Sequence, residues 1–223
     1  MKITISTILF LCLCQWIMGQ VDSSKLVKYS PDFHFKEGIY VNFDQVKNND
    51  PIPKSRIIAD MDYNDPDFFD KVLSGSKVYY YDNLGNRKSL NVSKLWGYCR
   101  NGFIYVSMET GFYRITLIGA ISHFVATHTY YNNSMSPYAY NYYTDPYTMS
   151  PYSQPTSEMR QYVLDFNTGR IMDYTPESVG VLLMQDPALH DEYMSLRRKK
   201  MKQMMFIYIR KFNEKHPLYF PQN

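Results

Sequence analysis

The side chains most able to do chemistry are few and far apart. Cys99 and His123 are a conceivable nucleophile and base, since such partners need only be neighbours in space. Cys99, however, sits in sequence among Trp96, Tyr98, Phe103 and Ile104, a setting that predicts a buried structural thiol. His123 and His128 are five positions apart, so they face opposite sides of a strand and diverge on a helix, and neither geometry makes a metal-ligand pair. His34, His190 and His216 are isolated from one another. Asp60-Met61-Asp62-Tyr63-Asn64 sets oxygen donors at alternate positions, like the opening of a calcium loop. Asp65 stands where that loop needs its sharp-turn glycine, and Lys71 where it needs a bidentate glutamate. The segment reads better as an acidic turn, with Asp65-Pro66 starting a helix over Asp67 to Leu73; an irregular cation site on Asp60, Asp62, Asn64 and Asp65 is the alternative. No G-x-S-x-G, H-E-x-x-H, C-x-x-C or phosphate-cradling glycine loop occurs. No catalytic residue, metal-ligand set or cofactor is assigned from the sequence.

Two segments carry contact chemistry instead. From Tyr130 to Ser157 there are eight tyrosines and four prolines without a lysine, arginine or glutamate, and Met-Ser-Pro-Tyr occurs at Met135 to Tyr138 and again at Met149 to Tyr152. A connection of this length is uncommon inside a domain unless it binds something or is disordered. Tyrosine gives large amphipathic contact area at low entropic cost, so Tyr138, Tyr140, Tyr142, Tyr143, Tyr147 and Tyr152 are candidate contacts for a protein or glycan; a solvated low-complexity insertion is the alternative. The second segment, Ala188 to His216, carries eight basic side chains against three acidic ones. Arg197, Arg198, Lys199, Lys200 and Lys202 form its densest cluster, suited to an envelope protein or an anionic membrane surface, or simply a solvated face.

The elements that must position these residues follow from turn and cap signals. Gly38 to Val41 is β-prone, and Asn42 is placed to cap a short helix over Phe43 to Lys47. Val78 to Tyr81 and Arg87 to Leu90 predict a hairpin around Asp82 to Asn86. A second strand pair is expected at Phe103 to Ser107 and Phe112 to Ile118. Beyond Gly119, Ile121, His123, Val125 and Thr127 fall on one face of a continuing strand, with Phe124 and Ala126 on the other. A third hairpin joins Gln161 to Phe166 and Arg170 to Tyr174 through Asn167-Thr168-Gly169. Thr175-Pro176-Glu177 opens a helix through Met184, and Asp186-Pro187 opens a long one through Lys215 that stops at His216-Pro217. Met201, Met204, Met205, Tyr208 and Phe212 make a packing stripe on it. The expected fold class is α+β, antiparallel hairpins forming the body with C-terminal helices packed on it.

Lys2 and the apolar run Ile8 to Cys14, followed by Trp16-Ile17-Met18 and Gly19-Gln20, have the layout of a cleaved signal peptide over residues 1–20. The run is short of the roughly 20 apolar residues of a spanning helix. Cleavage removes Cys12 and Cys14 and leaves Cys99 with no intramolecular partner. The expected organisation is then a mainly β part over residues 21–128, the tyrosine- and proline-rich insertion as a loop or disordered segment over 129–157, and a hairpin with helices over 158–223. The formal net charge of +3 and the export signal argue against a nucleic-acid partner.

Glu37-Gly38-Ile39-Tyr40 with Phe43 and Asn49, Trp96-Gly97-Tyr98-Cys99 leading into Asn101-Gly102-Phe103-Ile104-Tyr105, and Arg210-Lys211-Phe212-Asn213-Glu214-Lys215-His216-Pro217-Leu218 resemble an uncharacterised family of small exported Gram-negative bacterial proteins of unknown function. The resemblance implies a periplasmic, envelope-associated or secreted setting and carries no catalytic residue. The expected role is non-catalytic, acting through interaction surfaces; the alternative is an exported hydrolase of unrecognised type acting on envelope or extracellular polymer.

Overall fold

Turn chemistry between β-prone runs builds the body. The computed structural model describes residues 26–131 and 155–222, and its core is an antiparallel sheet. In chain order the elements are β1 (Leu26–Lys28), β2 (Gly38–Tyr40), α1 (Phe43–Lys47), β3 (Ile52–Pro53), β4 (Ile57–Ile58), α2 (Phe68–Val72), β5 (Lys77–Tyr81) and β6 (Arg87–Asn91). There follow β7 (Gly97–Arg100), β8 (Phe103–Met108), β9 (Gly111–Leu117), β10 (Ile121–Tyr131), β11 (Pro155–Asp165), β12 (Ile171–Asp173), α3 (Pro176–Leu183), α4 (Pro187–Met194), α5 (Arg198–Lys215) and β13 (Tyr219–Pro221). Eight strands form one sheet in the order β12-β11-β10-β9-β8-β7-β2-β3; β4-β5-β6 form a smaller sheet, and β1 pairs with β13. The class is α+β, as the cap and turn signals predict.

Side-chain alternation sends neighbouring residues to different cores. On the inner face Tyr40, Cys99, Ile104, Val106, Ile115, Phe124, Ala126, Tyr162 and Leu164 pack with Phe35, Val46, Phe166 and Phe220. On the outer face Ile121 and Val163 receive the helices through Val179, Leu183, Leu189, Met205, Ile209 and Phe212. Farther along that face Ile39 and Tyr98 receive the small sheet and α2 through Ile57, Phe68, Phe69 and Val78. The sheet curls until its two ends touch: the Phe43 ring, just after β2, lies 5.1 Å from Phe166. Phe43 also packs against Gly169, whose φ of +78° and missing Cβ both suit the tight turn into β12.

Gly38, Asn49 and Asn213 do structural work. Gly38 runs so close to β3 that a Cβ would meet the Ile52 carbonyl oxygen at 2.2 Å. Asn49 takes a left-handed φ of 48° and its Oδ1 accepts from the Lys36 amide at 2.9 Å and the Tyr40 hydroxyl at 3.1 Å. Asn213 ties α5 to the sheet: its Oδ1 accepts from the Ile121 amide at 2.8 Å and its Nδ2 donates to the Ile121 carbonyl at 2.9 Å.

Three expectations need correction. The helix expected from Asp186-Pro187 to Lys215 is two helices, α4 and α5. Ser195 ends the first with its hydroxyl on the Glu192 carbonyl at 2.7 Å, and Arg197 is extended at φ −63° and ψ 145°. The break lets α5 fold back along α4, so that the Tyr208 hydroxyl donates to Glu192 at 2.9 Å. Nor does the strand continue through Gly119. The chain reverses there, with the Ser122 hydroxyl donating to the Gly119 carbonyl at 2.8 Å, and β10 returns antiparallel along β9. Finally, Thr129 to Tyr131 and Pro155 to Ser157, expected in the insertion, are paired strand residues in the β10–β11 hairpin.

Candidate functional site

The packing stripe of α5 decides which residues are left outside. Met205, Tyr208, Ile209 and Phe212 are buried and Met201 and Met204 pack beside them, so the helix leaves Lys199, Lys202, Gln203, Ile207 and Arg210 exposed, with Phe206 at the border, its ring on His123 and Tyr174. Phe206 and Ile207 are 45% and 46% exposed. Some cations of the helix are answered. Arg198 meets Glu177 at 2.9 Å, Lys211 meets Glu192 at 2.8 Å and Lys215 meets Asp186 at 2.9 Å. Lys211 and then Tyr208 hold the Glu192 carboxyl below its usual range, as Lys215 and the Leu189 amide do for Asp186. Among the described residues Arg197, Lys199, Lys200, Lys202 and Arg210 have no such carboxylate within 4.0 Å. The result is a surface of cations around two half-exposed apolar side chains. No helix among the described residues is long and apolar enough to cross a membrane.

A second feature opens on the inner face of the curled sheet, where the core gives way to a cleft of about 1160 Å³. Phe43 and Trp96 form one wall, half-buried, with ring centroids 5.5 Å apart. Tyr162, His128 and Arg160 come from β10 and β11 on the other, and Glu109 stands at the end of the floor made by β8. The Tyr162 ring stacks on Phe124 at 5.4 Å and its hydroxyl lies 2.7 Å from His128 Nε2. Arg160 is 3.1 Å from Glu158. Sequence reasoning missed this group because its members come from different strands with no fixed spacing.

The catalytic candidates do not converge. Cys99 is fully buried, with its Sγ donating to the Phe35 carbonyl at 3.4 Å, and burial pushes its thiol up to about 12. His123, on the opposite face of the sheet, has its Nε2 3.0 Å from Gln161. Asp62 accepts from the Asn64 amide at 2.9 Å, while Asp65 accepts from the Asp67 amide at 2.8 Å and pairs with Lys71. These are contacts of an ordinary acidic turn, and among the described residues no three of His, Cys, Asp or Glu are grouped to hold a metal ion. Tyr138, Tyr140, Tyr142, Tyr143, Tyr147 and Tyr152 lie outside the described residues. Arg197, Arg198, Lys199, Lys200 and Lys202 are all exposed.

Fold and sites together define a mixed α+β protein, a large antiparallel sheet with C-terminal helices packed together. The sequence matches no protein-family model, and no curated protein or solved structure matches it.

Proposed function

We propose that this is an exported, non-catalytic protein that attaches to the anionic lipid surface of the cell envelope through the outer face of α5. The observation that carries the reading is the cluster Arg197, Lys199, Lys200, Lys202 and Arg210, without carboxylate partners among the described residues, around half-exposed Phe206 and Ile207. Cations near an anionic leaflet contribute about 1 kcal/mol each, and apolar side chains on the same face add partial burial at the headgroup boundary. Ile207 is 46% exposed, and Phe206 keeps 45% of its surface exposed while its ring packs on His123 and Tyr174, so the charged face has an apolar border. The signal-like start and the resemblance to exported Gram-negative proteins support the envelope setting.

The test is co-sedimentation of the exported protein with vesicles of mixed phosphatidylglycerol and phosphatidylcholine against vesicles of phosphatidylcholine alone. Binding is expected only to the first and should weaken with salt. Lys199→Glu with Lys202→Glu should lower the partition coefficient by about tenfold or more. Equal binding by the charge-reversed protein, or none by the wild type, removes α5 as the attachment surface. Capture by soluble anionic polymer without vesicle binding points to a polymer partner instead.

A further inference from the structure

A strand at the end of a sheet leaves one row of main-chain N–H and C=O groups unpaired, and most sheet ends of this protein are blunted. β3 and β4 have two residues each and β1, β12 and β13 three, while β3 contains Pro53 and β13 ends on Pro221. β6 differs: its five residues, Arg87–Asn91, include no proline and lie at the end of the small sheet. Its register fixes which groups are free. The Asp82 amide donates to the Asn86 carbonyl at 2.9 Å and the Val92 amide to the Ser76 carbonyl at 3.0 Å. In this antiparallel pair Lys88 and Leu90 therefore bond to β5, and Arg87, Ser89 and Asn91 turn their amides and carbonyls outward. No hydrogen bond among the described residues takes up these groups, and all three residues are exposed.

The unanswered charge around this edge is positive. Lys77 and Arg87 share the exposed face of the hairpin with Tyr79 and Tyr81, and Arg87 lies over the Tyr79 ring at 4.7 Å. Neither cation makes an ion pair among the described residues. Lys88, on the other face, reaches Asp82 only at 3.9 Å, and beside it Leu90 is half-buried against the core beneath the small sheet. Cations on an edge disfavour pairing with a second copy of the same edge. They favour a strand with carboxylates on its outer side and an apolar side chain beside Leu90. We infer that β6 takes up an extended acidic segment of a partner protein as a fourth strand, its main chain hydrogen-bonded to Arg87, Ser89 and Asn91. The inference is independent of the lipid-surface reading, since β6 and α5 share no residue.

The test is titration of the protein with a short blocked peptide of alternating glutamate and valine, against its lysine–valine counterpart, read by calorimetry and by residue-resolved amide exchange. Only the acidic peptide should bind, and it should slow exchange at Arg87, Ser89 and Asn91 by about tenfold or more while leaving α5 unchanged. Ser89→Pro removes an outward donor that the fold does not use, so it should weaken binding by about tenfold or more with a nearly unchanged melting curve. Lys77→Glu with Arg87→Glu should weaken it by about tenfold and flatten its salt dependence. Peptides methylated on their main-chain nitrogens probe the wild-type protein directly: of the glutamate-methylated and valine-methylated forms, the one whose nitrogens face β6 should lose binding and the other keep it. Absence of binding by the acidic peptide, equal binding by the lysine peptide, undiminished affinity in Ser89→Pro, equal behaviour of the two methylated forms, or protection centred on α5 would overturn the inference.

Discussion

The outer face of the large sheet carries two covers, and different chemistry holds each. Over β2 and β7 the small sheet and α2 are joined by a column of aromatic rings. Phe69 stacks on Tyr98 at 4.9 Å, and Tyr98 on Tyr105 at 4.7 Å with the planes 3° apart. Over β10 and β11 the helices rest mainly on aliphatic and methionine contacts, with Tyr193, Tyr208 and Phe212 among them but no continuous ring column, and are located by the Asn213 amide on the Ile121 backbone. Flat rings resist sliding through their broad contact, and Asp70 of α2 adds polar registration at the rim, accepting from Arg100 at 2.8 Å and from the Tyr98 hydroxyl at 3.3 Å. Methionine and leucine accept many arrangements. The second cover therefore takes its register on the sheet from one hydrogen-bonded side chain, while the ion pairs of Glu192 and Asp186 hold α5 to α4.

The comparison is broken most severely at the column. Tyr98→Ala removes its middle ring and should cost about 3–5 kcal/mol in denaturant unfolding; a loss under about 1 kcal/mol would show that the small sheet is held by something else. Next comes the clamp. Asn213→Ala leaves the Ile121 amide and carbonyl unsatisfied and should cost about 1–3 kcal/mol. Amide exchange should quicken in α5 and leave β5 and β6 unchanged, and uniform quickening would mean that the two covers are not separately held.

The smallest effect is a pH dependence confined to the helical side. Burial holds the His123 imidazole below its ordinary value, opposed by the contact with Gln161, and the ring is caged by Tyr174 at 5.0 Å and Phe206 at 5.1 Å. The native state then takes up the proton at lower pH than the unfolded chain. Between the two values the unfolded state holds more protons, so stability is intact above about pH 6.5 and falls as the pH drops below it. Thermal unfolding at successive pH values should show this slope in the wild type and a shallower one in His123→Gln. Identical slopes would place the acid sensitivity elsewhere.

What the sequence revealed depended on whether a signal was local. The three hairpins follow from turn formers: in one of them Asp82 Oδ1 accepts from the Leu84 and Asn86 amides, both at 2.9 Å. The helix at Phe43–Lys47 follows from the Asn42 cap, whose side chain accepts from the Gln45 amide at 2.9 Å, and α3 from Thr175 accepting the Ser178 amide at 3.1 Å. The break between α4 and α5 has neither proline nor glycine. It is a tertiary event, fixed by the Tyr193 hydroxyl between the Pro176 carbonyl at 3.3 Å and the Met201 carbonyl at 3.5 Å. The basic face was legible because charge is written in residue type. That Phe206 and Ile207 fall off the stripe Met201, Met204, Met205, Tyr208 and Phe212 is legible in the same way, but the packing of Phe206 on His123 and Tyr174 is a tertiary contact that no spacing shows. The cleft was illegible because strand register brings His128 to Tyr162 across 34 positions.

Cys99, fully buried on a central strand, converts one inert atom into a clock. A thiol-specific reagent can modify it only in molecules whose β7 has opened, so the labelling rate divided by that of a free thiol reads the opening equilibrium of the sheet without denaturant. The same measurement repeated with vesicles present would report, from a single sulfur atom, whether attachment through α5 tightens the sheet beneath it.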